Sequence, residues 1–219
     1  MLLPKQELVE RVHDHILLRL GGAPGVLQPG LLSSAVERPK TVIAGHEMFK
    51  GTIAKAVALG YPIISWHPFV DGNKRTGINI IKMTLYANNI DMVLPPYIVR
   101  YCVRAALKSD ERRHLTEEQF LERIGLFCSD TTFGRIWKNF RYRTIPMLIF
   151  QGYQLLLRGF PESAMINAAM ERRVLDWYAA GDRQTFEKTI KEWEARTAQG
   201  YPRRVPRLQV SRKNDFVEE

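Results

Sequence analysis

Residues 67–75 read His-Pro-Phe-Val-Asp-Gly-Asn-Lys-Arg. An imidazole, a carboxylate, a Gly-Asn pair and two cations thus fall within a single short run, directly ahead of an apolar-periodic stretch from Arg75 to Ala87. Glycine and asparagine accept the left-handed conformations of a tight turn. A turn that opens a helix aims backbone N–H groups outward, and the commonest anion held there is phosphate. Lys74 and Arg75 add positive charge at the same point. Asp71 can hold Mg²⁺, which binds carboxylate and phosphate oxygens together. His67, just before the turn, can take a proton from a hydroxyl near neutral pH. The chemistry these parts support is phosphoryl or nucleotidyl transfer. A P-loop is excluded, because no glycine stands five residues ahead of a Gly-Lys pair and no strand signal precedes the run.

The elements that must position this run are helical. Leu8, Val12, Ile16 and Leu20 mark one face of a first helix that Gly21-Gly22 end. Leu31 to Val36 read as a short helix stopped before Pro39. Lys50 to Trp66 form the next, with a kink or an early ending expected at Pro62. The motif helix runs from about Lys74 to Asn88 with Ile78, Ile81 and Leu85 inward. Tyr97–Leu107 and Thr116–Phe127 follow, the latter opened by a capping pair, Thr116 and Gln119. Met92-Val93-Leu94 could make a short strand or hairpin. Beyond Ser129 the pattern restarts. Helices are expected over Thr144–Leu157, over Ser163–Tyr178 (Ile166, Met170, Val174 and Trp177 on one face) and from Asp182 to about Ala198. Residues 199–219 form a basic, Pro-interrupted tail expected to be extended or disordered. The fold class expected is all-α, divided into a catalytic domain at 1–128, a helical extension at 129–198 and the tail at 199–219.

Hydrophobic residues make up 45% of the 219, enough for a sizeable core in one domain or one and a half. The formal net charge is +9. Residues 1–128 hold 16 basic against 12 acidic side chains and 129–219 hold 16 against 11, so the shorter C-terminal part is the more basic per residue. Such a surface attracts nucleotides, nucleic acid or acidic proteins without choosing among them. A nucleic-acid role is expected only through the tail, if at all. Cys102 and Cys128 lack zinc spacing and a disulfide framework and read as buried apolar residues in a reducing compartment. Glu7, Glu10, Arg11 and Asp14 interrupt any signal segment, and no apolar run approaches membrane-spanning length. The expectation is a soluble cytoplasmic protein with no membrane partner.

The run at 67–75 resembles the Fic/Doc superfamily signature, His-x-Phe-x-(Asp/Glu)-Gly-Asn-Gly-Arg-x-x-Arg. The Doc branch has Lys where Fic has its second Gly. That position is Lys74 here, and the last Fic Arg falls on Ile78, so the chain is similar to Doc. The resemblance extends upstream through Gly21–Gly25, Gly30–Pro39, the His13-Asp14 pair and Lys55-Ala56, and covers roughly residues 5 to 128. It implies a helical bundle with a loop–helix phosphate site and an ATP- and Mg²⁺-dependent protein kinase. The γ-phosphoryl would go to a Ser or Thr of a target protein, elongation factor Tu being the family's known target class. His67 would be the general base and Asp71 the Mg²⁺ ligand. Gly72 and Asn73 would cradle phosphate, and Lys74 and Arg75 would stabilise the transferring group. A Lys in place of the Fic Gly fills the room where an α-phosphate would lie, which favours γ-phosphoryl over AMP transfer. AMP transfer and a silent nucleotide-binding module are the alternatives. Phe69 is expected to anchor the loop in the core. His13 and Lys55 are weaker candidates for substrate or nucleotide contacts, and His15, His46 and His114 receive no role. Ser33–Glu37 fits the start of a Fic inhibitory helix by chance, so a separate antitoxin is the implied partner.

Overall fold

The computed structural model describes residues 1–95, 97–145 and 208–218. It is mostly helical, as the sequence implies. Helices α1 (Gln6–Leu20), α2 (Pro29–Glu37), α3 (Thr52–Trp66), α4 (Asn73–Ala87), α5 (Ile98–Ala105), α6 (Glu117–Gly125), α7 (Thr132–Asn139) and α8 (Arg212–Asp215) follow in order, with a 3₁₀ turn at Arg38–Lys40 and a π-helical turn at Phe140–Thr144. Three short antiparallel pairs accompany them. β1 (Leu2–Pro4) pairs with β6 (Phe216–Glu218), β2 (Val42–Ile43) with β3 (His46–Glu47), and β4 (Asp91–Met92) with β5 (Cys128–Ser129). The strand expected around Met92 therefore exists, but its partner lies beyond α6 rather than in a local hairpin.

α3 and α4 form the central pair. They cross where Gly60 faces Gly77. A Cβ on Gly60 would lie 2.7 Å from the Gly77 carbonyl oxygen, and one on Gly77 would lie 2.6 Å from that of Gly60, so no larger residue fits either position. On one side of the pair Tyr61, Ile64, Ile78, Ile81 and Leu85 pack on Cys102, Phe120, Ile124 and Phe127 of the α5–α6 region. On the other, Leu59, Ile63 and Ile80 meet Leu8, Val12 and Ile16 of α1 and Leu32 and Ala35 of α2. The three inward residues expected on the motif helix are all buried. The α6 capping box forms as the sequence predicts, with Thr116 and Gln119 exchanging side-chain and backbone bonds. Both cysteines are free and buried, and burial pushes the Cys128 thiol up to about 12.

Pro62 does not end α3, which continues to Trp66. Proline cannot donate to the carbonyl one turn back, which is that of Ala58. The Arg38 guanidinium donates to this oxygen instead, at 3.3 Å. Arg38 is itself held by two bonds to Glu117 at 2.5 and 2.6 Å and lies 4.7 Å over the Phe49 ring. The orphan carbonyl is thus satisfied from outside the helix, and the expected early ending does not occur.

The tail expectation is also corrected over 208–218. Phe216 is buried against the α1–α2 core, and β6 completes a ladder with β1. Arg11 donates to both Asp215 carboxylate oxygens at 2.8 and 3.3 Å, and the Lys5 N–H donates to the Asp215 carbonyl at 2.9 Å. One apolar side chain and one paired carboxylate outweigh a basic, Pro-broken composition. The helices expected over Thr144–Leu157, Ser163–Tyr178 and Asp182–Ala198 lie, but for Thr144 and Ile145, outside the described residues. Among the described residues no helix is long and apolar enough to cross a membrane.

Candidate active site

The motif occupies the turn between α3 and α4. His67 ends α3 in the left-handed conformation, φ 54° and ψ 56°. For a residue with a β-carbon this costs on the order of 1–3 kcal/mol, strain that concentrates at functional positions. The imidazole is partly buried. Burial holds its pKa below the ordinary value, the nearby Lys74 ammonium lowers it further, and a hydrogen bond with the Ser65 backbone pulls the other way. The net effect favours the neutral ring, the form that accepts a proton.

The residues after His67 are laid against a second strand-like segment. Leu27 and Gln28 donate their N–H groups to the Pro68 carbonyl at 2.7 and 3.0 Å, and the Val70 N–H donates to Gly25 at 3.0 Å. Phe69 turns inward, 1% exposed, and stacks on His13 with ring centroids 4.0 Å apart and planes 9° from parallel. His13 is equally buried, its ring nitrogens within 3.0 Å of the Asp14 carboxylate and of the Asp71 carbonyl. Asn73 then closes the loop. Its Oδ1 accepts the Phe69 N–H at 2.9 Å and its Nδ2 donates to the Phe69 carbonyl at 2.8 Å.

Gly72 caps α4 at φ 77°, and its carbonyl accepts the first intrahelical bond from the Thr76 N–H at 2.8 Å. The amides of Asn73 and Lys74, in the first turn, have no acceptor one turn back within the helix. Asp71 folds over this end. Its Oδ1 accepts the Gly72 N–H at 2.5 Å and lies 3.5 Å from Arg75 Nη2. Arg75 also donates through Nη1 to the Gly21 carbonyl at 3.0 Å, which ties the motif to the end of α1. Among the described residues no cluster of three or more His, Cys, Asp or Glu could hold a metal. Asp71 instead offers one half-exposed carboxylate beside the N-terminus of α4, a kind of helix end that can receive an anion. That donor set fits Mg²⁺, which binds through one or two carboxylates plus phosphate and water oxygens.

A base, an acid, two cations and a helix N-terminus therefore converge. A model of the Fic/DOC family matches residues 3–85. The chain is 30% identical over 106 residues to the protein kinase doc of Escherichia phage P1, a match spanning 46% of this chain and 79% of that protein. The chain belongs to the Fic/Doc family. A second curated relative, the toxin Doc of Mycolicibacterium smegmatis, is 33% identical over 75 residues, 34% of this chain and 58% of the relative. Both relatives carry the Doc name, so this Fic/Doc protein is Doc-like. No solved structure matches it.

Within this Fic/Doc site the structure brings together His67, Asp71, Gly72, Asn73, Lys74 and Arg75. It gives two of them occupations that the sequence does not announce. Asn73 Oδ1 and one of the two Nδ2 hydrogens are committed to Phe69, and the Gly72 N–H is taken by Asp71. Phe69 is the core anchor expected. His13 lies beneath the loop as its support, 1% exposed, and offers substrate no surface. Lys55 sits in the first turn of α3, roughly 17 Å by helix rise from the His67 end, and its Nζ pairs with Glu47 Oε1 at 3.2 Å. It is not part of the site. Glu37, in the segment that fits the start of an inhibitory helix, pairs with Lys40 at 2.9 Å. Sequence reasoning passed over Gly21 and Gly22, seen there as a helix stop and a point of family likeness.

Proposed function

We propose that this protein is a Doc-type protein kinase that moves the γ-phosphoryl group of ATP to a Ser or Thr hydroxyl of another protein. The observation that carries the reading is Lys74, which stands in the first turn of α4 where the Fic branch has glycine and acts electrostatically on a half-buried His67. His67, kept neutral, takes the proton of the acceptor hydroxyl as its oxygen bonds to the γ-phosphorus and ADP departs. Lys74 and Arg75 supply fixed positive charge to the transferring group, and the first-turn amides of α4 orient phosphate oxygens. Asp71 would hold Mg²⁺, which supplies charge neutralisation of the phosphate chain. A toxin-like role, a translation elongation factor of the Tu type as target and a separate antitoxin as inhibitor go with this reading.

The test is incubation of the purified protein with a cell extract and either γ-labelled or α-labelled ATP, followed by mass spectrometry of the labelled protein. Label from the γ-position, a mass gain of one phosphate and loss of both with His67→Ala are expected. Label from the α-position, with a mass gain of one AMP, would make the protein a nucleotidyl transferase. Nucleotide binding with neither label would make it a silent module.

A further inference from the structure

We propose that Gly22 is a positioning residue that sets the place of the Asp71 carboxylate for the metal–nucleotide it receives, an inference that rests on the kinase reading above. Gly22 follows the C-cap of α1 at φ 139°, and a Cβ built there would lie 2.5 Å from Asp71 Oδ2 and 3.2 Å from Asp71 Cγ. The same Cβ would lie 2.6 Å from Leu17 Cδ2. Leu17 cannot simply swing away. It is 7% exposed, and its Cδ2 lies 3.2 Å from where a Cβ on Gly72 would be, so it fills the space between the two glycines. The carboxylate is the group free to move, since it is half exposed.

Asp71 is otherwise fixed from one side only, by the Gly72 N–H and by Arg75 through the same Oδ1. Its other oxygen rests against Gly22. The neighbouring Gly21 carbonyl receives Arg75 Nη1. Two consecutive glycines at the end of α1 thus meet the two opposite charges of the motif, one by accepting a hydrogen bond and one by leaving room. A methyl group at position 22 drives Oδ2 outward, and Oδ1 leaves the Gly72 N–H with it. The acid is then displaced from the helix end where the phosphate oxygens and the cation must meet.

Gly25 provides a control. It also has a positive φ, 122°, but a Cβ there meets only Val70 Cγ2 at 3.5 Å, an ordinary contact. Alanine at either glycine carries backbone strain, and only Gly22→Ala collides with the acid. The measurement is Mn²⁺ affinity by electron paramagnetic resonance, with the full chain and a non-hydrolysable ATP analogue, for wild type, Gly22→Ala, Gly25→Ala and Asp71→Asn. Gly22→Ala is expected to weaken Mn²⁺ about tenfold, as loss of a ligand's supporting contact does, while Gly25→Ala, which strains the loop without touching the acid, weakens it far less. Leu17→Ala combined with Gly22→Ala relieves the packing clash and leaves only the one with the carboxylate, so the result can be read if the single variant does not fold. If wild type binds Mn²⁺ through Asp71 and Gly22→Ala behaves as Gly25→Ala does, the positioning role is wrong and the kinase reading stands. If Asp71→Asn binds Mn²⁺ as wild type does, the metal–nucleotide reading falls and this inference with it.

Discussion

Replacing Asn73 with alanine removes both hydrogen bonds that close the motif loop, at 2.9 and 2.8 Å, and leaves the Phe69 N–H and carbonyl without them. Phe69 is 1% exposed and Asn73 6%, so bulk water does not reach the vacated groups. A hydrogen bond contributes roughly 0.5–1.5 kcal/mol net, and a buried polar group left unpaired costs about 1–3 kcal/mol. Two such groups set the expected loss near 3 kcal/mol after partial relaxation. With a urea slope of about 2 kcal/mol per molar, the unfolding midpoint should fall by about 1.5 M. Asn73→Asp keeps an acceptor for the Phe69 N–H and sits favourably at a helix N-terminus, but it sets a carboxylate against the Phe69 carbonyl. Its midpoint should fall between those of alanine and wild type. The assay is equilibrium urea unfolding followed by far-ultraviolet circular dichroism without nucleotide, so that any contact of Asn73 with phosphate is silent. A midpoint for Asn73→Ala within about 0.2 M of wild type, about 0.4 kcal/mol and below the smallest cost of one lost bond, would refute the clamp and return the side chain to ligand binding.

Arg38→Met should cost about 2 kcal/mol, and about 1 kcal/mol less in a Pro62→Ala background, where residue 62 regains an N–H for the Ala58 carbonyl. Denaturation of the four variants checks this, and an equal cost in both backgrounds would count against it. Lys74→Ala removes one of the influences that lower the His67 pKa, burial being the larger. On the proposed mechanism neutral His67 is the base, so the acid limb of the kcat/KM profile should move to higher pH, and a limb that stays put or moves down contradicts the placement of Lys74. The Asp215 carboxyl is held below its ordinary value of 3.8 first by the Ser211 backbone N–H and then by Arg11. Its contribution is present above that value and lost as pH falls through the folded pKa. Asp215→Asn should therefore destabilise at neutral pH, by about 1–2 kcal/mol, and the gap to wild type in thermal unfolding should close in acid.

What was legible in the sequence was local. His67 through Arg75 stand next to one another in the chain, so their convergence needs only a turn, and the periodicity of Ile78, Ile81 and Leu85 fixes which face of α4 goes inward. Thr116 and Gln119 are three residues apart and cap α6 with no help from elsewhere. What was illegible depends on distant partners. The local rule for Pro62 is sound, but it cannot see Arg38, which takes the orphaned carbonyl from a separate turn. Phe216 reads as part of a basic tail until β1, at the other end of the chain, gives it a sheet and a core. Asn73 shows a third limit. Its residue type suits both a phosphate contact and a loop clamp, and only the distances to Phe69 decide how its side chain is used.

Those distant contacts bear on the site through α1. This helix of 15 residues spans about 22 Å. At its N-terminal end it is held by the Asp215–Arg11 pair and by the Lys5 N–H on the Asp215 carbonyl. At its C-terminal end Gly21 accepts Arg75, and Gly22 lies against Asp71. Between them His13 and Leu17 project one turn apart, one stacked under Phe69 and the other wedged beneath Gly72. Asp71 and Arg75, two of the motif's three charged side chains, therefore meet the glycines that end α1. The motif supplies the reactive groups, α3 and α4 set the turn that joins them, and α1 is the surface against which the acid and the arginine are registered. A contact made by residues 208–218 at the far end of α1 is a contact with that surface. The short segment that sequence composition marks as a loose tail thus belongs, through one helix, to the architecture that holds the motif turn.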